Sequence, residues 1–192
     1  MAEPRAGTIR ALRQGPTWFL TRADPGLGRL TESLALMELL QAWGSPVRLL
    51  TSAAALPLAR RLSPAPAEAF TLERGADPQQ TLLDSLSLQR LLTRIRRERP
   101  AAMVVHGYPL LLPILRQAVD ARLVAVANRH DLSSPGHTSG ARLVARAFHT
   151  ASDLVLVGEL RRGWGLGRLG ETPVVRLPAL VRPSVLRSNA AT

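Results

Sequence analysis

Strands alternating with helices along almost the whole chain predict an α/β fold, a doubly wound, mostly parallel, Rossmann-like sheet of about seven strands forming a single domain. Three observations carry this expectation. Continuous apolar runs such as Ala102 to His106 (AMVVH) and Arg122 to Ala127 (RLVAVA) suit parallel strands covered on both faces. Between the runs lie stretches whose apolar residues recur at three- and four-residue spacing, the mark of amphipathic helices. The first strand also passes through a glycine-bearing turn straight into a helix, as at the start of a strand–helix–strand unit.

Residues 1–15 are polar and carry Pro4, Gly7 and Gly15, and they read as a flexible lead-in. Residues 16–183 form the Rossmann-like body, and 184–192 are a tail or the start of an interdomain linker. The body opens with a strand at Thr17 to Leu20, a turn through Asp24, Pro25, Gly26, Leu27 and Gly28, and a helix that stops at Trp43-Gly44. Val47 to Thr51 is the second strand. A short helix over Ala53 to Leu62 is broken by Ser63-Pro64-Ala65-Pro66, and Ala69 to Leu72 follows as a short third strand. From Pro78 the pattern is helical again, with Leu91, Leu92 and Ile95 on an apolar face opposite Arg90, Arg94 and Arg97, until Pro100 stops it. Ala102 to His106 is the fourth strand, Leu110 to Val119 a helix, and Arg122 to Ala127 the fifth strand. After a polar loop over Asn128 to Gly140 come a helix at Ala141 to Thr150 and strands at Asp153 to Val157 and Pro173 to Leu177.

Composition narrows the function. A chain of 192 residues with 46% hydrophobic and 20% charged residues has enough apolar material for one sizeable core. The absence of cysteine removes disulfides, thiolate nucleophiles and Cys-ligated metals. No charged-then-apolar leader opens the sequence, and no apolar run is long enough to cross a bilayer, so the expected location is cytoplasmic. The formal charge of +11 raises the question of nucleic acid. All 25 basic residues are arginine, scattered apart from Arg90, Arg94, Arg96, Arg97 and Arg99, and aromatics make up only 4%, too few for a stacking platform. The cluster reads as a solvated helix face, and no nucleic-acid partner is expected.

Several site chemistries are excluded. The dinucleotide fingerprint needs a third glycine where Thr31 stands and an acidic residue where the second strand ends in Thr51-Ser52. No Walker-type loop exists, because the chain has no lysine. Ser133 and Ser134 lack the Gly-x-Ser-x-Gly elbow of a hydrolase. His106, His130 and His137 have no metal-ligand spacing. No cofactor is therefore expected.

In a doubly wound sheet the ligand site lies beyond the carboxyl ends of the strands. The polar residues gathered there by this reading are Asp24 to Arg29, Thr51 and Ser52, His106 to Tyr108, Asn128 to His137, and Gly158 with Glu159. Asp24, Gly26, Gly28, Arg29 and His130 are candidate binding residues. His106, at the end of a buried strand, is the candidate base, with Asp131 on a neighbouring strand end as its orienting carboxylate. The plainer alternatives are a histidine that only caps its strand, a surface arginine at Arg29 and glycines that only permit tight packing.

The succession Gly26, Gly28, Ser33, Leu34, Ala35, Leu36 and Gly44, with AMVVHGYPLLLPIL, DLVLVGELRRGW and PVVRLPALVRP, resembles the amino-terminal half of GT-B glycosyltransferases, especially the group that forms lipid II and related bacterial transferases. The likeness runs from about Trp18 to Pro183. It implies an acceptor-binding domain that works in inverting sugar transfer with a nucleotide-sugar-binding domain or subunit, on a small-molecule or lipid-linked acceptor. An oligomer is compatible with it. In that family the residue after the second glycine is commonly histidine, whereas here it is Arg29. A guanidinium stays protonated and cannot serve as a base, though it grips phosphate or carboxylate well. The resemblance also implies a second domain outside these residues, so the chain alone is expected to be inactive. The alternative is a non-catalytic helper or binding subunit of a biosynthetic complex.

Overall fold

The computed structural model describes residues 3–23, 27–63, 65–70, 73–74, 82–83, 85–128, 146–158 and 168–177. In chain order its elements are α1 (Glu3–Gln14), β1 (Thr17–Thr21), α2 (Gly28–Ala42), β2 (Val47–Thr51), α3 (Leu56–Leu62), β3 (Ala67–Ala69), β4 (Glu73–Arg74), β5 (Leu82–Leu83), α4 (Ser85–Glu98), β6 (Ala102–His106), α5 (Leu111–Ala118), β7 (Arg122–Asn128), β8 (Leu154–Gly158), β9 (Arg168–Leu169) and β10 (Thr172–Leu177). Residues 146–149 add a short helical segment before β8.

Every residue of β1 and of β6 is buried, which puts these strands inside the sheet and explains why neither alternates apolar with polar. The sheet has eight strands in the order β3-β2-β1-β6-β7-β8-β10-β9. All its pairings are parallel except β9 with β10. It is the doubly wound, mostly parallel, Rossmann-like sheet that the sequence predicts. Successive residues along each strand point to opposite faces and feed two cores. Trp18, Leu20, Met103, Val105, Leu123 and Val155 meet α4 and α5 on one face. Phe19, Leu49, Val104, Val124 and Leu154 meet α2 and α3 on the other.

Four details differ from the sequence expectation. Residues 3–14, read as irregular, form α1. Pro4 sits in its first turn, where a missing N–H costs nothing. Gly15 follows it because a Cβ there would stand 2.2 Å from Ala101 Cβ, so only glycine lets α1 close onto the start of β6. Leu12 packs against the core and its carbonyl accepts from Ser45 Oγ at 2.7 Å. The third strand lies earlier than Ala69 to Leu72, because Leu49 N–H already bonds Pro66 C=O and Phe70 N–H closes the ladder on Thr51 C=O. A proline at an edge is no obstacle to such a strand. Leu82–Leu83, expected inside a helix, pairs antiparallel with Glu73–Arg74 instead. The eighth strand, β9, is two residues long and gave no periodic signal. The polar loop after β7, the start of the helix that follows it and the segment 184–192 lie outside the described residues.

Candidate functional site

The register of the sheet sets three polar residues side by side at the ends of neighbouring strands: Thr51 beside Thr21, and Thr21 beside His106. Their face is the α2 face, shared with Phe19, Leu49 and Val104. On α2 the core stripe of Leu36 and Leu40 turns polar one turn earlier. Arg29, Glu32 and Ser33 are at i, i+3 and i+4, so the first turns of the helix bring polar groups down over the strand ends.

Ser33, Thr21, Thr51 and His106 are all buried, His106 to 1% exposure. Buried polar groups need partners, and here they supply one another. Thr51 Oγ1 donates to Thr21 C=O at 3.0 Å, and Thr21 Oγ1 donates to Ser33 Oγ at 2.8 Å. Ser33 Oγ then has its own proton for His106 Nδ1, 3.2 Å away. That relay assigns Nδ1 as acceptor and leaves the ring proton on Nε2. Nε2 lies 3.4 Å from Glu32 Oε2, an approach too poorly aligned for a hydrogen bond.

The imidazole is neutral. Its pKa is pushed down to about 3, first by burial and then by the positive charge of Arg29, with the Arg29 backbone carbonyl opposing weakly. The short approach to Glu32 is therefore a contact between a carboxylate and a neutral ring and not an ion pair. Glu32 is 29% exposed, and its other oxygen lies against Gly158, where a Cβ would come within 3.6 Å of it. The carboxylate thus spans from the end of β6 to the end of β8.

Gly107, directly after His106, has φ +83°. A Cβ there would meet Arg22 Cβ at 2.8 Å, Arg29 Cδ at 2.9 Å and Arg29 Nε at 3.2 Å. Both arginine stems therefore lean on the same glycine. Arg22 N–H donates to His106 C=O at 2.9 Å, which extends the β1–β6 ladder by one bond. Above them α2 begins at Gly28 with Leu27 as N-cap, no side-chain cap and no acidic residue in the first turn. A Cβ on Gly28 would meet nothing within 4 Å among the described residues.

Arg29 thus lies beside His106 and Gly107, one residue after Gly28 at the start of α2. Arg29 is not the surface arginine of the plainer alternative, because its stem and Nε are packed over Gly107. Among the described residues nothing would meet a Cβ at Gly28. Asp24, Gly26, His130 and Asp131 lie outside the described residues. Glu32, Ser33, Thr21 and Arg22 were missed. The signal for Glu32 and Ser33 was present in the helical spacing from Arg29.

Two cavities lie apart from this site. One of about 280 Å³, on the α4 face, is lined by Leu50, Ala69, Phe70, Ser87, Arg90, Leu91 and Arg94. The other, about 200 Å³ and almost wholly apolar, runs between α1 and α2 beside Ile9, Leu12, Leu39 and Trp43, over β8 and β10. Among the described residues no helix is long and apolar enough to cross a membrane.

No family model matches the sequence, and no curated protein matches it. Solved structures do. MurG of Acinetobacter baumannii superposes with a TM-score of 0.54 at 11% identity, covering 85% of this chain and 45% of that one. SsfS6, a Streptomyces sp. SF2575 glycosyltransferase, gives 0.52 at 12% identity over 85% of this chain and 54% of its own. UGT89C1 of Arabidopsis thaliana, solved with quercetin, gives 0.52 at 13% identity over 75% and 43%. These are GT-B glycosyltransferases, and at such identities the likeness is one of fold. The fold of the chain is consistent with that of an amino-terminal GT-B domain, and the chain spans about half the length of the structures it matches.

Proposed function

We propose that this chain is the acceptor-side half of a glycosyl-transfer system, completed by a domain or subunit that binds a nucleotide-activated sugar. The observation that supports it most is a buried, hydrogen-bonded relay ending in His106, with Glu32 Oε2 3.4 Å from its Nε2, at the carboxyl ends of strands whose fold matches one half of GT-B enzymes. Glu32 is the proton acceptor and His106 its positioning residue. The carboxylate removes the acceptor hydroxyl proton as that oxygen bonds to the anomeric carbon. The bond from the anomeric carbon to the nucleotide phosphate breaks, and its electron pair leaves with the phosphate. Neutral, 1% exposed His106 turns its Nε2–H toward Glu32 and is itself held through Nδ1 by Ser33 and Thr21. Asp131 and His130 belong to the same proposed site as further candidates beside this pair, and Asp24 and Gly26 as candidate binding residues.

The test is to recover the tagged 192-residue chain from its native lysate, identify what co-purifies, and assay sugar transfer by the chain alone and by the reconstituted assembly. The expected result is transfer only by the assembly, reduced about 10²- to 10⁴-fold by Glu32→Gln, with His106→Gln moving the acid limb of the pH–rate profile. Transfer by the chain alone sinks the idea of a half-site, and full activity of Glu32→Gln in the assembly sinks the assignment of the base. A non-catalytic helper subunit is the second reading. It is favoured by the apolar groove beside α1 and α2, where Trp43 and Leu39 remain exposed.

A further inference from the structure

The face of the sheet that carries α2 is covered unevenly. From β1 to β3 the chain crosses the sheet one way, and from β6 to β10 it crosses the other way. Right-handed crossovers therefore put α2 and α3 on one face and α5 on the opposite one. The described residues that lead into β8 and β10, Ala151 and Leu169, also pack on the α5 face. On the α2 face, α2 and α3 lie over β1, β2 and β3, and α1 lies over β6 and β7. Beside β8 and β10 the described residues leave the apolar groove of about 200 Å³, lined there by Leu156, Val175 and Leu177. Ile9, Leu39 and Trp43 along it stay exposed.

We propose that this groove seats an amphipathic helix of a partner chain, with an apolar stripe that fills it and an acidic flank that meets Arg10 and Arg13. The groove shares no lining residue with the site around His106 and Glu32, so such a partner is independent of the sugar-transfer reading.

The lining residues are all apolar. A segment that enters finds no side-chain hydrogen-bond partner for its backbone and must satisfy its own N–H and C=O groups, as a helix does along its length. Apolar residues at i, i+3, i+4 and i+7 then reach into a groove of this kind.

The rim decides which helix fits. On α1, Arg10 follows Ile9 and Arg13 stands one turn after it, and both arginines are exposed. Arg13 lies over the Trp43 ring, 5.4 Å from its centre, so a cation and an aromatic surface are presented together, a combination enriched at interface anchors. On the α2 side, Glu38 beside Leu39 has interactions of its own. A second copy docked groove to groove would set these arginines against their own counterparts in a chain of formal charge +11. Residues 178–192, which follow β10, contain no acidic residue and add Arg182 and Arg187. Neither supplies the charge that complements the rim, whereas a different chain with Asp or Glu beside its apolar stripe does.

The experiment places a photoreactive benzoylphenylalanine in the full chain at Ala6 and, separately, at Ala42, exposed residues one turn from Ile9 and Leu39. Native cells are irradiated, and the segment joined at each position is sequenced. The expected result is one segment of another polypeptide at both positions, with apolar residues three and four apart and Asp or Glu beside them. Arg10→Glu together with Arg13→Glu should lower its yield about tenfold or more while the melting curve matches the parent. If that pair lowers the melting temperature, Arg10→Gln with Arg13→Gln makes the same comparison. A joined segment without acidic residues overturns the proposal, as does a yield indifferent to the arginine variants. Joining to a second copy, to residues 178–192 or to a lipid, or no adduct at either position, overturns it equally. The readout is the sequence held in the groove and not turnover, so its failure and a failure of sugar transfer are told apart.

Discussion

The two faces of the sheet each carry a cluster of arginine and glutamate, and the clusters are built on opposite plans. On the α4 face, Arg94 reaches both oxygens of Glu68 and also Glu98, while Arg48 pairs with Glu98 at 2.8 Å. The guanidinium carbons of Arg48 and Arg94 each lie 5.2 Å from the Trp18 ring centre. Each charge faces an opposite charge or an aromatic face, and the carboxyls of Glu68 and Glu98 are held below the usual range, chiefly by hydrogen bonds from Arg94. On the α2 face, by contrast, two arginines crowd a glycine beside a buried neutral histidine. The first arrangement satisfies itself and ties β2, β3 and α4 together. The second holds a histidine in the form that folding disfavours charging, a condition associated with binding and chemistry more than with stability.

Acid should separate the two most strongly. His106 has an ordinary pKa of 6.5 when unfolded and one pushed down to about 3 when folded, so the unfolded chain binds the extra proton in between. Its contribution to stability is complete above about 6.5 and is lost as pH falls from there toward 3, at up to about 1.4 kcal/mol per pH unit. Glu68 and Glu98 have lowered pKa values, so their contribution begins to fall only below the ordinary value of 4.5. Among these three groups, the loss between about 6.5 and 4.5 therefore belongs to His106. Urea unfolding at a series of pH values should show a slope in that window that His106→Gln flattens and Arg94→Ala retains. Equal slopes in the parent and His106→Gln would mean that the buried ring is not what the acid attacks.

Next in size is the direct comparison of arginines. Arg94→Ala removes hydrogen bonds to two carboxylates and a cation–π contact, and after allowance for solvent screening it should cost about 1–2 kcal/mol, a fall of roughly 2–8 °C in melting temperature. Arg29→Gln should cost less than Arg94→Ala, because glutamine keeps most of the stem that packs over Gly107. A loss in Arg29→Gln equal to that in Arg94→Ala would make both clusters structural and remove the contrast between them.

What the sequence revealed divides along the same line. Strands β2 and β6 were legible to the residue, β6 because a parallel strand buried on both faces reads as a nearly continuous apolar run and β2 because Gly44 and Pro46 mark its start. Topology then placed His106 and the α2 turn at one end of the sheet without any knowledge of side chains. The helix α1 was not legible, because Pro4 and Gly7 mask a helix whose support comes from packing on Ala101 and from Ser45, distant in sequence. Within the site, the strand end at His106 was visible, but its partners were not. Thr21 and Ser33 become a relay only through β1–β6 register and helix phase together. For Arg29, a candidate binding residue in the sequence, the packing was not legible, because nothing local reveals that Gly107, far along the chain, offers it a bed.

The smallest expected effect tests whether partnership and not mere nearness stabilises the α4 face. Arg97 sits one residue before Glu98 and touches it at 3.3 Å, yet its side chain is 76% exposed. Glu98 is already engaged by Arg94 and Arg48, so a third cation adds little that water does not replace. Arg97→Ala should therefore change stability by less than about 0.5 kcal/mol, and raising the salt concentration should shrink even that. Thermal unfolding of Arg97→Ala beside Arg94→Ala makes the comparison on one carboxylate. If the two cost the same, the network has no hierarchy, and exposure to solvent rather than pairing fails to distinguish its members. If Arg97→Ala is neutral while Arg94→Ala is not, the stability of this face resides in the residues that bridge elements.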